Sequence, residues 1–302
     1  MNSNWVETYW NAMLKSDFET AMPIKEQHFP KSFFKYKGLN EWTIKSLKNK
    51  EIHLAEMGSL NDPFECMLQF DNDECLRMYY ASKKFQDGFA AKFSDLTKHE
   101  INLLCTNEKP YEAYRRICIS RNIITISAVE QLETMQKRFT EINENESKKL
   151  RITCFTQRND SLLMWPHYAQ EHKGICLEYD FRDVDHVRPL IQPVRYSDEV
   201  YKVGVLEELD TMALVCSSLV KSSDWSYEQE WRITTFKQGD FFPKQVSVPD
   251  PVAVYLGSRF DQNNKEEKEE LFDFLRDRNI PYHGMFRHPN QYKLISGQSQ
   301  EI

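Results

Sequence analysis

Ser226-Tyr227-Glu228-Gln229-Glu230-Trp231-Arg232 runs directly into Ile233-Thr234-Thr235-Phe236. The second half is apolar, β-branched and aromatic, which argues for a strand. If the strand begins early enough, its period of two puts Glu228 and Glu230 on one face, within reach of a single ligand. The alternative is a solvated edge face bearing ordinary surface carboxylates. Trp225, Tyr227 and Trp231 favour a pocket, because aromatic side chains wall a cavity and exclude water. Arg232, facing away from Trp231, reads equally as a ligand contact or as a structural ion-pair partner.

On either side of this strand the pattern alternates between strands and helices. Upstream, Arg151-Ile152-Thr153-Cys154-Phe155-Thr156 predicts a strand, Asp160 to Gln170 a short helix, and Gly174 to Tyr179 another strand. A helix apolar on one side is expected around Val205 to Leu219. Downstream, Val246 to Val248 and Val252 to Gly257 read as strands, followed by a helix from Asn263 to Arg278 and a strand at Pro281 to Met285. The last strand-helix-strand unit suits a right-handed crossover.

Nearer the N-terminus, Trp5, Tyr9, Trp10 and Leu14 fall at helical spacing, and a loop holding Pro23 and Pro30 is expected after them. Phe33 to Lys37 reads as a short strand, Asn40 as the cap of a helix carrying Trp42, Ile44 and Leu47, and Glu51 to Ala55 as a second strand. Asn61-Asp62-Pro63-Phe64 is a turn, in which Pro63 forces Asp62 out of the helical region. Its role is structural, or it presents Asp62 or backbone N–H groups to a substrate. From about Asp71 to Lys149 the sequence is helical and polar, with Leu132, Met135, Phe139 and Ile142 three and four apart. The expected fold is therefore α+β. It comprises an N-terminal helical extension (1–32) and a single domain (33–302), with a central mixed or antiparallel sheet and a helical insertion at about 71–149.

Composition removes several function classes. The 302 residues include 19 Phe, 14 Tyr and 6 Trp, as expected of a globular chain with an aromatic core. No glycine-rich phosphate loop is present, which argues against a Rossmann or P-loop site. A net charge of -7 argues against broad nonspecific duplex binding. Seven cysteines without a C-x-x-C pair read as thiols in a reducing compartment. No stretch approaches the roughly 18 apolar residues of a membrane span, so a cytoplasmic location is expected. The eight histidines are dispersed, and no structural metal is expected. Cys154, inside a buried strand, is a poor candidate nucleophile.

Four motifs resemble, in order and rough spacing, the bacterial family called domain of unknown function 2971. They are Phe34-Lys35-Tyr36-Lys37; Asn61-Asp62-Pro63-Phe64; Cys154-Phe155-Thr156 with Met164-Trp165-Pro166-His167-Tyr168-Ala169 and Lys173-Gly174; and Tyr227 to Arg232. The resemblance spans about residues 33 to 260. A weaker resemblance links the chain to the ADP-ribosyltransferase superfamily, whose members carry a basic residue on an early strand, a Ser, Thr or Tyr on a middle strand and a Glu, often in Glu-x-Glu, on a late one. Lys35 to Lys37, Phe155-Thr156 and Glu228-Gln229-Glu230 follow that order. Departures are the missing Ser-Thr-Ser and the Lys in place of Arg or His.

This second resemblance implies an ADP-ribosyltransferase-like cleft and NAD as substrate, used to modify an unidentified macromolecule, as in a toxin or antiphage defence effector. Breaking the nicotinamide glycosidic bond develops oxocarbenium character that a carboxylate stabilises. Glu230 would be that carboxylate, with Glu228 taking the acceptor's proton. Lys35 and Lys37 would contact the diphosphate, while Tyr36, Asn61, Asp62, Thr156, His167, Tyr168 and Arg232 shape the nucleotide site. Two alternatives stand beside it. A magnesium site of Asp62, Glu228 and Glu230 would make a metal-dependent nuclease or phosphoesterase, and an aromatic pocket without turnover would make a nucleotide sensor or protein-interaction module.

Overall fold

The computed structural model describes residues 4–62, 64–65, 69–123, 137, 141, 145, 148–203, 211–237 and 239–298. Their chain divides into two compact units, one built from residues 1–66, 148–199 and 218–302, the other from 67–147 and 200–217. Of the stretch read as a helical insertion, residues 71–147 fall in the second.

The first unit is mixed α+β. Its strands are β1 (Phe33–Lys37), β2 (Glu51–His53) and β3 (Ala55–Glu56), then, after β4 (Gln69–Phe70) of the second unit, β5 (Leu150–Thr156), β6 (Ile175–Tyr179), β7 (Ile191–Pro193) and β8 (Arg195–Ser197). After β9 (Lys202–Val203), also of the second unit, come β10 (Val220–Ser222), β11 (Glu230–Phe236), β12 (Gln245–Ser247), β13 (Ala253–Leu256), β14 (Tyr282–Arg287) and β15 (Leu294–Gln298). The main sheet runs β15-β14-β13-β6-β1-β5-β11-β7, with β3 also pairing β5. It is antiparallel except at β13 and β14, which pair in parallel as the intervening helix Lys265–Asp277 requires.

Strand alternation sorts the side chains between two faces. Phe33, Phe155, Leu177, Trp231, Ile233 and Val254 form the larger core with Ile44 and Leu47 of helix Glu41–Asn49 and Leu271, Phe274 and Leu275 of helix Lys265–Asp277. Burying each such side chain contributes roughly 1.5–3 kcal/mol relative to exposure. The opposite face carries Phe34, Tyr36 and Cys176, packed with Met164 and Trp165 of the short helix Met164–Tyr168. Asn40 caps its helix as expected, its side chain accepting from the Thr43 N–H at 2.9 Å.

The N-terminal segment differs from its reading. Two helices, Asn4–Leu14 and Phe18–Gln27, replace one, with Ser16 at φ 54° between them, and Pro23 lies inside the second rather than in a loop. Proline forfeits one helical hydrogen bond there. The helix is held nonetheless, because Asp17 caps it and the fully buried Lys25 donates to the Arg188 carbonyl at 2.8 Å and the Ile191 carbonyl at 3.3 Å.

In the second unit, helices Asn72–Ala81, Lys83–Lys92, Lys98–Thr106 and Pro110–Ser120 enclose Tyr80, Phe85, Phe89, Leu104 and Tyr114. Here β4 pairs with β9 in parallel, and the helix expected at Val205 to Leu219 is seen over Thr211–Ser217. Leu132, Met135, Phe139 and Ile142, like Pro63, Cys66 and Val205, lie outside the described residues.

Candidate functional site

The site begins where two strands part. β1 pairs with β6 along its whole length but meets β5 only at Phe34 opposite Thr156, while β3 takes the same strand further along, Ala55 opposite Ile152. Between these two pairings the Cys154 carbonyl is met by the Lys35 ammonium instead, Nζ to O 2.7 Å. A cavity of about 400 Å³ occupies this fork. Lys35, Tyr36, Lys37, Asn61, Asp62, Thr156, His167, Tyr168, Glu228 and Glu230 all line it, brought together from separate segments of the chain. Arg232 does not; it is fully buried behind Glu230.

The two glutamates converge for a different reason from the one expected. Glu228 ends a 3-10 turn, Ser223–Glu228, and only Glu230 belongs to β11. Gln229 between them is left-handed, φ 45° and ψ 54°, a conformation costing a non-glycine residue about 1–2 kcal/mol. Thr156 offsets that cost, its hydroxyl donating to the Glu228 carbonyl and accepting the Arg158 N–H at 3.1 Å. Tyr196 assists by accepting the Glu230 N–H at 2.8 Å. The strand's period of two instead places Glu230 beside Arg232.

Both carboxylates are held by cations. Lys221 Nζ lies 2.7 Å from Glu228 Oε2, 3.1 Å from Glu230 Oε2 and 3.0 Å from Glu65 Oε1. Arg232 donates through Nε to Glu230 Oε1 at 2.7 Å, through Nη2 to Glu230 Oε2 at 2.9 Å and Glu65 Oε1 at 2.5 Å, and through Nη1 to the Ser218 carbonyl at 2.8 Å. Tyr168 Oη donates to Glu228 Oε1 at 2.8 Å. Three carboxylates and two cations thus form one buried network, in which Arg232 is ion-paired to Glu230 and Glu65.

The network drives the two carboxylates apart electrostatically. Burial alone would raise the pKa of Glu230, but Arg232 and Lys221 outweigh it and hold the group at about 2. For Glu228 burial prevails over Lys221, and its pKa is raised. Burial keeps the Tyr168 hydroxyl protonated as a donor and pushes the Cys154 thiol well up, away from the thiolate a nucleophile needs.

Opposite these acids stand the lysines. Burial, then the neighbouring Lys37 charge, lowers Lys35 to about 7, and burial lowers Lys37 as well. Lys37 has no ion pair or hydrogen bond from its ammonium among the described residues. Strand alternation turns both lysines to the face opposite Tyr36, whose hydroxyl donates to the Arg158 carbonyl at 3.0 Å. Both nonetheless line the cavity. Asp62 is partly engaged by its own turn, Oδ1 accepting the Phe64 N–H at 2.9 Å.

Lys221 and Glu65 escaped the sequence reading. Lys221 stands between the apolar pair Leu219-Val220 and the polar Ser222-Ser223-Asp224, so local pattern reads it as the exposed end of a strand and gives no sign that its ammonium is buried. Glu65 follows the Asn61 to Phe64 turn and carries no distinguishing local pattern. Among the described residues no helix is long and apolar enough to cross a membrane, and no three His, Cys, Asp or Glu side chains are grouped to hold a metal.

Residues 164–233 match the family described as Protein of unknown function (DUF2971). The matched stretch holds the Met164 to Tyr168 helix, Lys221, both glutamates and Arg232, so the resemblance to that family holds over the acidic wall of the cavity. No curated protein and no solved structure matches the chain.

Proposed function

We propose that the fork cavity binds NAD and that the protein is an ADP-ribosyltransferase-type enzyme acting on a macromolecule. One observation carries this reading: Glu230 on β11 and Glu228 in the turn before it line the same cavity as Lys35 and Lys37 on β1, the two strands flanking β5. That arrangement offers an acidic wall to a ribose and a basic wall to a diphosphate. Glu230, ionised at any physiological pH, would stabilise the oxocarbenium character that develops as the C–N bond to nicotinamide breaks and its electron pair leaves with nicotinamide. Glu228, the stronger base, would accept the proton lost by the acceptor as the new bond to ribose forms. Tyr168 would orient Glu228, and Lys221 would keep the two acids together.

A second reading follows from the same network. Both Glu230 oxygens are engaged by Arg232 and Lys221, which suits a rigid wall that binds a nucleotide without turning it over.

The test is to incubate the protein with labelled NAD and a cell lysate, with and without chelator, beside Glu230→Gln. Label transfer that survives chelation and is lost in the variant supports the enzyme. Transfer persisting in Glu230→Gln removes the assigned role, and binding without consumption favours the second reading. Activity abolished by chelator alone points to a metal-dependent hydrolase.

A further inference from the structure

A second cavity, of about 560 Å³, shares Lys35, Lys37 and His53 with the first. Its far side is formed by helix Glu41–Asn49, which turns Ile44 and Leu47 into the core and leaves Trp42 and Lys45 outward. Trp42 is 69% exposed, with the Lys45 ammonium 5.8 Å from its ring centroid. Lys35, Lys37 and Lys45 face a single acidic lining residue, Glu51.

Each element of this surface asks for the same kind of ligand. An indole at a cavity mouth offers a flat apolar face, and stacking a base there removes apolar area from water. Lys35 and Lys37, two apart on β1, project from one face; among the described residues the Lys37 ammonium has no hydrogen bond or ion pair, and the Lys35 ammonium is met by the Cys154 carbonyl and lies 5.1 Å from the Phe155 ring centroid. Two enclosed ammonium groups side by side repel each other, and an anion bridging them relieves that repulsion. A flat aromatic group joined to a phosphate chain is a nucleotide.

We propose that the second cavity is the base subsite of a nucleoside diphosphate, the base stacking on Trp42 and the diphosphate bridging Lys35 and Lys37 where the two cavities meet. This rests on the nucleotide reading of the first cavity and assigns which end of the ligand lies where. The ribose next to the scissile bond then faces Glu228 and Glu230, and the distal nucleotide reaches the helix that carries Trp42.

ADP, which has the base and diphosphate but no bond to break, is the probe. Calorimetric titration of the full chain should give binding that weakens at least about tenfold in Trp42→Leu, the range expected for loss of one base stack, and stays near wild type in Trp42→Phe. Lys37→Ala should weaken it further and reduce its salt dependence. Trp42 is exposed, so its variants should melt as wild type does. Unchanged ADP affinity in Trp42→Leu, or no ADP binding by wild type, overturns the subsite. Trp42-dependent ADP binding without NAD consumption supports the subsite and removes the transferase reading. NAD consumption with ADP affinity indifferent to Trp42 does the reverse.

Discussion

Arg232 lies side-on to Glu230, its Nε 2.7 Å from Oε1 and its Nη2 2.9 Å from Oε2, two residues along the same strand and wholly out of solvent. Removing one partner of such a pair strands a buried charge, which costs about 3–5 kcal/mol. Arg232→Met should therefore lower the unfolding free energy by that order in urea titration. Replacing both residues, Glu230→Leu with Arg232→Met, should recover part of the loss. A loss below about 1 kcal/mol for the single variant would show that the pair does not hold the fold.

The pairing also has a pH signature. Glu230 titrates at about 2 in the fold against an ordinary value of 4.5. The folded state favours its ionised form, so its contribution is fully present above about pH 4.5 and disappears as pH falls toward 2. Stability measured from pH 6 to pH 2 should fall more steeply for wild type than for Glu230→Gln. Parallel curves would show that the carboxylate is not held by its cations.

Tyr168→Phe removes a hydrogen bond to a carboxylate, a contact worth roughly 1.5–3 kcal/mol. That bond lowers the pKa of Glu228, so the variant's Glu228 should titrate at higher pH. If Glu228 is the base, the acid limb of the transfer rate shifts upward by the same amount while the alkaline limb stays. An unshifted profile would separate Tyr168 from the chemistry.

Anion binding should depend on Lys35. Its pKa near 7 is set by burial and Lys37, with the Cys154 carbonyl, the Phe155 ring, Glu230 and His53 around it. A bound diphosphate favours the ammonium, so ADP affinity should rise as pH falls from 8 to 6, with proton uptake. Lys35→Met should flatten the part of this dependence that does not belong to the ligand. Equal pH profiles for the two proteins would place the diphosphate elsewhere.

Gly174 positions the lysine strand. A Cβ there would sit 2.2 Å from the Lys37 carbonyl oxygen and 3.0 Å from the Ala169 backbone. Gly174→Ala must move one of these backbones, at about 1–3 kcal/mol. Thermal melting should show the loss, and ADP affinity should fall with it. A melting temperature equal to wild type would mean the contact relaxes freely.

Local features were legible because they depend on neighbours in the chain. The Asn40 cap, the strand at Leu150–Thr156, the helix Lys265–Asp277 and the parallel pairing of β13 with β14 all follow from residue type, spacing and connection length. The early proline misled for an equally local reason. Its break signal was outweighed by the Asp17 cap and by Lys25, whose carbonyl partners lie more than 160 residues away. The acidic pair was found through a strand period that turned out to link Glu230 with Arg232.

By itself the sequence determined that Glu228, Glu230 and Arg232 sit beside a strand among aromatics, and that Lys35 and Lys37 share a face. Only the tertiary structure decided which charges meet. Arg232 reaches Glu65 across 167 residues, and Lys221 joins Glu228 because β10 is carried to the site by its pairing with β8. A buried charge must find its counter-charge, and nothing in local spacing says which strand will deliver it. The cavity has the same origin, since β1 leaves β5 after one pair and Lys35 takes the place of a strand partner.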